Sequence, residues 1–158
     1  MLANGAELYK FLDGLFYPHG FVRKKDTWYL NSNECIVFFH TSKSPFSGHY
    51  DHVMGCFYKK VYTDSNNFPK YYKSNLKQGI DNFVEKKKVK MALDMEDNSF
   101  KGQEREELLK NLVEVYVIPF LIEISTEEGI RKAVEKKPTL KHYMDAETKD
   151  ALSISEDD

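Results

Sequence analysis

Thr27-Trp28-Tyr29-Leu30, then Asn31-Ser32-Asn33-Glu34, then Cys35-Ile36-Val37-Phe38-Phe39-His40-Thr41 is the stretch on which the fold turns. Its two apolar runs are aromatic and β-branched and short of helix formers, and the four residues between them are small or polar. That pattern predicts a β-hairpin with strands over 27–30 and 35–41. Upstream, Leu8, Phe11, Leu12, Leu15 and Phe16 recur at helical spacing, so an amphipathic helix over 8–16 precedes the hairpin. Pro18 cannot continue its hydrogen-bond ladder and Gly20 accepts the left-handed conformation that closes a helix, so the helix ends there. Extended chain begins again at Phe21.

Downstream, a loop over 42–48 carries Pro45 and Gly48, and a third strand is predicted over 49–62. Val53, Cys56, Tyr58 and Tyr62 break strict alternation, which points to a bulge near Gly55. After a turn-rich link over 64–69, Tyr72, Leu76, Ile80, Phe83 and Val84 suggest a helix over 70–84. Alternating Val89, Met91, Leu93 and Met95 suggest a short strand over 89–95. The longest periodic stretch, 104–124, predicts a helix that Pro119 kinks. Ser125 or Thr126 then caps a further helix over 127–137, which stops at Pro138. The fold class is therefore α+β: a small, mainly antiparallel sheet covered on one face by helices over 8–16, 70–84 and 104–124. One domain spans 1–144, and residues 145–158 form a polar, acidic tail expected to fray.

The 158 residues suffice for one compact domain, and a hydrophobic fraction of 41% excludes a wholly disordered chain. Charge is unevenly distributed. Residues 1–90 hold 14 Lys and Arg against 8 Asp and Glu, whereas 91–158 hold 9 against 17. Aromatics are skewed the same way, with 18 of the 22 Phe, Tyr and Trp in residues 1–83, as expected for a sheet-and-core half followed by a charged helical half. Two cysteines, Cys35 and Cys56, make neither a disulfide framework nor a four-ligand zinc site, so a reducing, cytoplasmic setting is expected. No run reads as a signal peptide or a membrane span, and a protein free of the membrane is expected.

For catalysis and metal binding, the residues to weigh are His49, Asp51 and His52, with His40 one strand away. Neighbours two apart on a strand share a face, which would put His49 with Asp51 and turn His52 away. Three convergent ligands are not obtained, so no metal and no cofactor is expected. Cys35 and Cys56 sit in apolar strands that suit inert thiols. A nucleophile-elbow serine, a P-loop and a dinucleotide fingerprint are all missing, leaving no residue to nominate as catalytic. Three basic clusters, Arg23-Lys24-Lys25, Lys59-Lys60 and Lys86-Lys87-Lys88 with Lys90, raise nucleic-acid binding. Against it stand a net charge of −2 and aromatics, Trp28 included, whose positions assign them to the core.

The order of a helix, Pro18-His19-Gly20-Phe21, Arg23-Lys24-Lys25, Thr27-Trp28-Tyr29, a polar turn, Cys35-Ile36-Val37-Phe38-Phe39 and Ser42-Lys43-Ser44 resembles the bacterial domain-of-unknown-function family DUF4304 over about residues 8–62. It differs from that family's pattern at His40, where glutamine is common, and at Met54, where asparagine often precedes the glycine. Some members of the family sit beside polymorphic toxins, so the resemblance implies an immunity-like role for a few of them and brings no functional residues. The expected function is a non-enzymatic protein-binding domain. Its acidic second half makes the contact through Glu104, Glu106 and Glu107. The alternatives are a small enzyme or ligand-binding domain using His40, His49, Asp51 and His52, and, third, a nucleic-acid binder.

Overall fold

In a computed structural model, residues 4–95 and 102–156 are described. Five antiparallel strands form one sheet in chain order: β1 (Val22–Lys24), β2 (Thr27–Asn31), β3 (Cys35–Lys43), β4 (Tyr50–Tyr58) and β5 (Leu76–Gln78). The α+β class holds, and so does the predicted hairpin, with Trp28 opposite Phe39 and Asn31 opposite Ile36 across it. Alternation along these strands sends Trp28, Val37, Phe39, Met54, Cys56 and Tyr58 to one face, where all six are fully buried under helices. Tyr29, Ile36, Phe38 and Phe57 point to the other face and form a smaller cluster, packed by Val53, Tyr62 and Tyr71.

Helix α1 (Gly5–Phe16) starts where Asn4 Oδ1 accepts the Glu7 N–H at 3.0 Å, and Gly20 follows it at φ 89°. Its Leu8, Leu12 and Phe16, one turn apart, are fully buried. Phe16 stacks on Trp28 and on Phe39, each at 5.4 Å between centroids. Asp13 on the same helix accepts the Trp28 indole N–H at 2.9 Å and takes Arg23 bidentately at 2.8 and 3.1 Å, tying α1 to β1 and β2.

Four expectations are corrected. Residues 70–84 are not a helix: a 3₁₀ turn (Tyr71–Lys73), β5 and a second 3₁₀ turn (Ile80–Asn82) replace it, because Ser74, Asn75 and Gly79 interrupt the helical ladder. Residues 89–95 are not a strand, since α2 (Lys86–Leu93) presents Val89, Ala92 and Leu93 to the core at helical spacing. The third strand ends at Tyr58, and its pairing with β3 runs without a bulge from Tyr50 to Tyr58. Gly55 instead serves close approach: a Cβ there would lie 1.8 Å from the Leu76 carbonyl oxygen. Finally, the start of the acidic tail is ordered. α6 (Ala146–Ala151) is capped by Asp145, whose Oδ1 accepts the Thr148 N–H at 2.8 Å, and Leu152 behind it is fully buried. Asp157 and Asp158 lie outside the described residues.

The long predicted helix is present in three parts: α3 (Gly102–Asn111), a π-helical stretch (Leu112–Val117) and α4 (Ile118–Glu123). Pro119 has no N–H to give, and the chain absorbs the defect one turn earlier, where the Ile118 N–H reaches back five residues to the Val113 carbonyl. Thr126 caps α5 (Glu127–Lys136) by accepting the Gly129 N–H at 3.0 Å. No helix among the described residues is long and apolar enough to cross a membrane.

Candidate functional site

The sequence-derived histidine set divides between the two faces of the sheet. On the face away from the helices, strand register sets His40 beside Thr27 of β2 and Val53 of β4. His40 is only 5% exposed. Its Nδ1 lies 2.8 Å from Thr27 Oγ1 and 3.4 Å from Asp26 Oδ1, and its Nε2 lies 3.1 Å from Ser42 Oγ. The Tyr71 ring stacks over the imidazole at 4.0 Å. Burial pushes the imidazole pKa down, opposed by the negative charges of Asp26 and Asp51. The neutral ring has one donor, and donation from Nδ1 to Thr27 Oγ1 lets Nε2 accept from Ser42 and Thr27 pass its own proton toward Asp26 at 3.4 Å. Both ring nitrogens are thus engaged, and the roofed imidazole forms the floor of a cleft of about 530 Å³.

That cleft lies between the β1–β2 turn and the irregular segment 66–72. Lys24, Lys25 and Asp26 line one wall; Asn66, Phe68, Lys70, Tyr71 and Tyr72 line the other. Lys25 holds φ 57°, a left-handed backbone uncommon for any residue but glycine. Arg23 Nη1 fastens the turn through the Lys25 carbonyl at 2.8 Å, and the Thr41 N–H does so through the Asp26 carbonyl at 3.1 Å. Lysines 24 and 25 were visible in the sequence as a basic cluster. Lys70 was not associated with them, because its segment read as a helix rather than as the roof of this cleft.

His49 and His52 lie together on the other side, around a smaller cavity of about 260 Å³ that Asp81, Lys86 and Lys90 also line. The expected pairing of His49 with Asp51 is corrected, because His49 precedes β4 and bridges Asp94, so strand alternation does not extend to it. His52 Nδ1 accepts the Ile80 N–H at 3.0 Å, which assigns its proton to Nε2. Burial holds its pKa down, with Asp81 opposing. Among the described residues, no three His, Cys, Asp or Glu side chains converge on a point where a metal could bind. Cys35 and Cys56 are fully buried free thiols, and Cys56 is pushed well up by its hydrogen bond with Cys35 and by burial, the reverse of an activated nucleophile.

The acidic trio lies on the helical layer. Glu104 and Glu107 are exposed and Glu106 is half-buried, while Arg105 between them turns inward, 4% exposed. The Arg105 guanidinium donates to the Met91 and Asp94 carbonyls at 3.3 and 2.8 Å at the C-terminal end of α2. Between α1 and the long helix runs a groove of about 710 Å³ with Phe11 and Leu15 beside Glu7, Lys10, Glu106, Lys110 and Glu114. Farther along, Val115 and Ile122 are 53% and 47% exposed, with exposed Pro119 between them. Their spacing of four and three sets them in line on the outer face of the helix. The inward face of the same helix is formed by Leu112, Val113, Val117, Ile118, Phe120 and Leu121, all buried, and the periodicity of 104–124 did not announce this second, outward line. The π-helical stretch shifts the phase of the inward face, so that Ile118 is buried while Tyr116 is 37% exposed.

Compared with known proteins, the chain matches the family model described as Domain of unknown function (DUF4304) over residues 12–123. No curated protein matches it, and no solved structure does.

Proposed function

This chain belongs to the DUF4304 family, and from that premise we propose that it is a non-enzymatic binding protein whose partner is a basic protein seated on the outer face of the long helix. The observation that carries the reading is the outward line Val115–Pro119–Ile122 with Glu104, Glu107 and Glu114 exposed on the same helix. An apolar strip with charged margins is the anatomy of a protein interface: the apolar atoms supply affinity once desolvated, and the charges steer approach and exclude acidic partners. The groove against α1 extends this surface with a half-buried apolar base, Phe11 and Leu15. Residues 91–158 carry an excess of eight acidic side chains, 17 against 9, so the long-range field of this half attracts cations.

The resemblance to a family with members beside toxin genes supports a class for the partner: a toxin acting on nucleic acid, whose phosphate-binding surface must itself be basic. Capture from the native cell identifies the partner, and association kinetics with the purified partner test the proposal. Reversing Glu104, Glu106 and Glu107 to lysine is expected to slow association by at least about tenfold at low salt and to flatten its salt dependence. Ile122→Glu is expected to speed dissociation instead. Kinetics unchanged in both variants overturn the assignment of this face.

A further inference from the structure

On the opposite face, we infer that the cleft lined by Tyr71 and Tyr72 binds a single nucleotide, its phosphate held by Lys24, Lys25 and Lys70 and its base stacked on Tyr72. Four independent observations converge on this. The first is size: about 530 Å³ falls within the range of small-molecule sites, roughly 300–1,000 Å³, and accommodates one nucleotide rather than a run of them. The second is charge. Three lysines surround the mouth with one carboxylate, Asp26, and among the described residues none of the three lies within ion-pair distance of an acidic group. Lys24 instead rests over the Phe68 ring at 5.1 Å. Lysines gathered without counter-charge repel one another, and a dianionic phosphate removes that repulsion.

The third observation is the backbone. Lys25 sits at φ 57°, where glycine or asparagine would meet less strain, and left-handed backbone in a lysine costs on the order of 1 kcal/mol or more. The turn is held by hydrogen bonds to both of its central carbonyls, so the strained geometry fixes Lys25 at the mouth of the cleft. The fourth is the exposed ring. Tyr72 lines the cleft and is 59% exposed, which leaves ring surface for a planar base, and such stacking contributes about 1–3 kcal/mol. Asn66, whose Oδ1 is already bound by the Phe68 N–H at 2.9 Å, has amide N–H donors left to meet a base edge.

The test is calorimetric titration of the full chain with AMP and UMP, with adenosine, inorganic phosphate and a short single-stranded RNA as the other arms. Expected are saturable binding of the mononucleotides that weakens with salt, and losses of at least about tenfold for adenosine and for phosphate alone. Lys25→Gly combined with Lys70→Ala is expected to weaken AMP binding by at least about tenfold while the protein remains folded, since glycine relieves the left-handed strain. Tyr72→Ala reads out the stacking separately. No saturable mononucleotide binding, or undiminished binding by the lysine variant, overturns the proposal. RNA binding more than about tenfold tighter than AMP also overturns it, because the cleft would then be one station on a nucleic-acid track.

Discussion

Asn75 joins three elements that are distant in sequence, and its truncation has a cost that can be worked out. Its own N–H donates to the Cys56 carbonyl at 3.0 Å and its carbonyl accepts the Asp145 N–H at 3.1 Å. Its side chain does the rest: Oδ1 accepts the Tyr58 N–H at 2.7 Å, and Nδ2 donates to Asp145 Oδ2 at 2.8 Å. Asp145 in turn caps α6. Asn75→Ala keeps the two backbone bonds and deletes the two side-chain bonds. Losing the first strands the Tyr58 N–H in a site where Tyr58 is fully buried, a penalty of about 1–3 kcal/mol. Losing the second costs less, about 1 kcal/mol, because exposed Asp145 regains water. The total of about 2–4 kcal/mol corresponds, at roughly 2–4 °C per kcal/mol for a chain of this size, to a fall in Tm of about 5–15 °C. Urea and thermal unfolding followed by the fluorescence of Trp28, the single tryptophan, measure it. Asn75→Asp separates the two contributions: the acceptor for the Tyr58 N–H is retained, but a second carboxylate now faces Asp145. Its deficit should therefore shrink as pH falls and the pair takes up a proton. A melting point for Asn75→Ala within about 2 °C of the parent refutes the reasoning.

The buried histidines give the stability a pH slope. His40 and His52 both have pKa values lowered by burial, so below about pH 6.5 the unfolded chain binds protons that the native state resists. Stability should fall from about pH 6.5 downward and level off once pH drops below the native values, and His40→Gln should reduce the slope of the urea midpoint between neutral and mildly acid pH. Gly55→Ala should destabilise by about 3 kcal/mol or more, since its Cβ would strike the Leu76 carbonyl at 1.8 Å and force β5 off the sheet. By contrast Gly14→Ala, with nothing within 4 Å of the new atom inside α1, should stabilise by about 0.5–1 kcal/mol; equal melting points for the two variants would contradict both statements.

What could be read from the sequence, and what could not, follows from the range of the interactions that decide each element. The hairpin and the long helix were legible because their periodicities are set by the local chain against a single core. Residues 70–84 misled because Leu76, Ile80 and Val84 stand four apart while serving different ends: Leu76 is a strand residue and Ile80 belongs to a 3₁₀ turn. Tyr71, meanwhile, turns to the other face to roof His40. The breakers Ser74, Asn75 and Gly79 were the overruled signal. For residues 89–95, the lysines at 86–88 and 90 favoured a helix, and alternation was read in preference to them. The acidic trio and the Lys24-Lys25 pair were visible as charge. The Asp26–Thr27–His40–Ser42 cluster was not, because it exists only through a strand register that sets Thr27 opposite His40.

Part of the lopsided charge of the chain becomes, on folding, a difference between faces, although Lys86, Lys87, Lys88 and Lys90 stay exposed on α2 within the helical layer. Strands and turns from the first half put Lys24, Lys25 and Lys70 on the outer side of the sheet, whereas α3 and its continuation put Glu104, Glu107 and Glu114 on the far side of the helical layer. Several ion pairs are local to one half, Arg23 with Asp13 in the first and Lys136 with Glu123 in the second, and Lys60 with Glu127 links the two. Pairing of this kind stitches neighbouring elements together. With a sheet and a helical layer between them, the two surfaces are farther apart than the Debye length of about 8 Å at physiological ionic strength, so charge bound on one is screened from the other. A protein on the helices and a nucleotide on Tyr72 would therefore bind at the same time with little electrostatic coupling, and any linkage between them must pass through packing. Thr27 and Trp28, adjacent on β2, face the cleft and α1 respectively, which makes that strand a packed connection between the cleft and the helical layer.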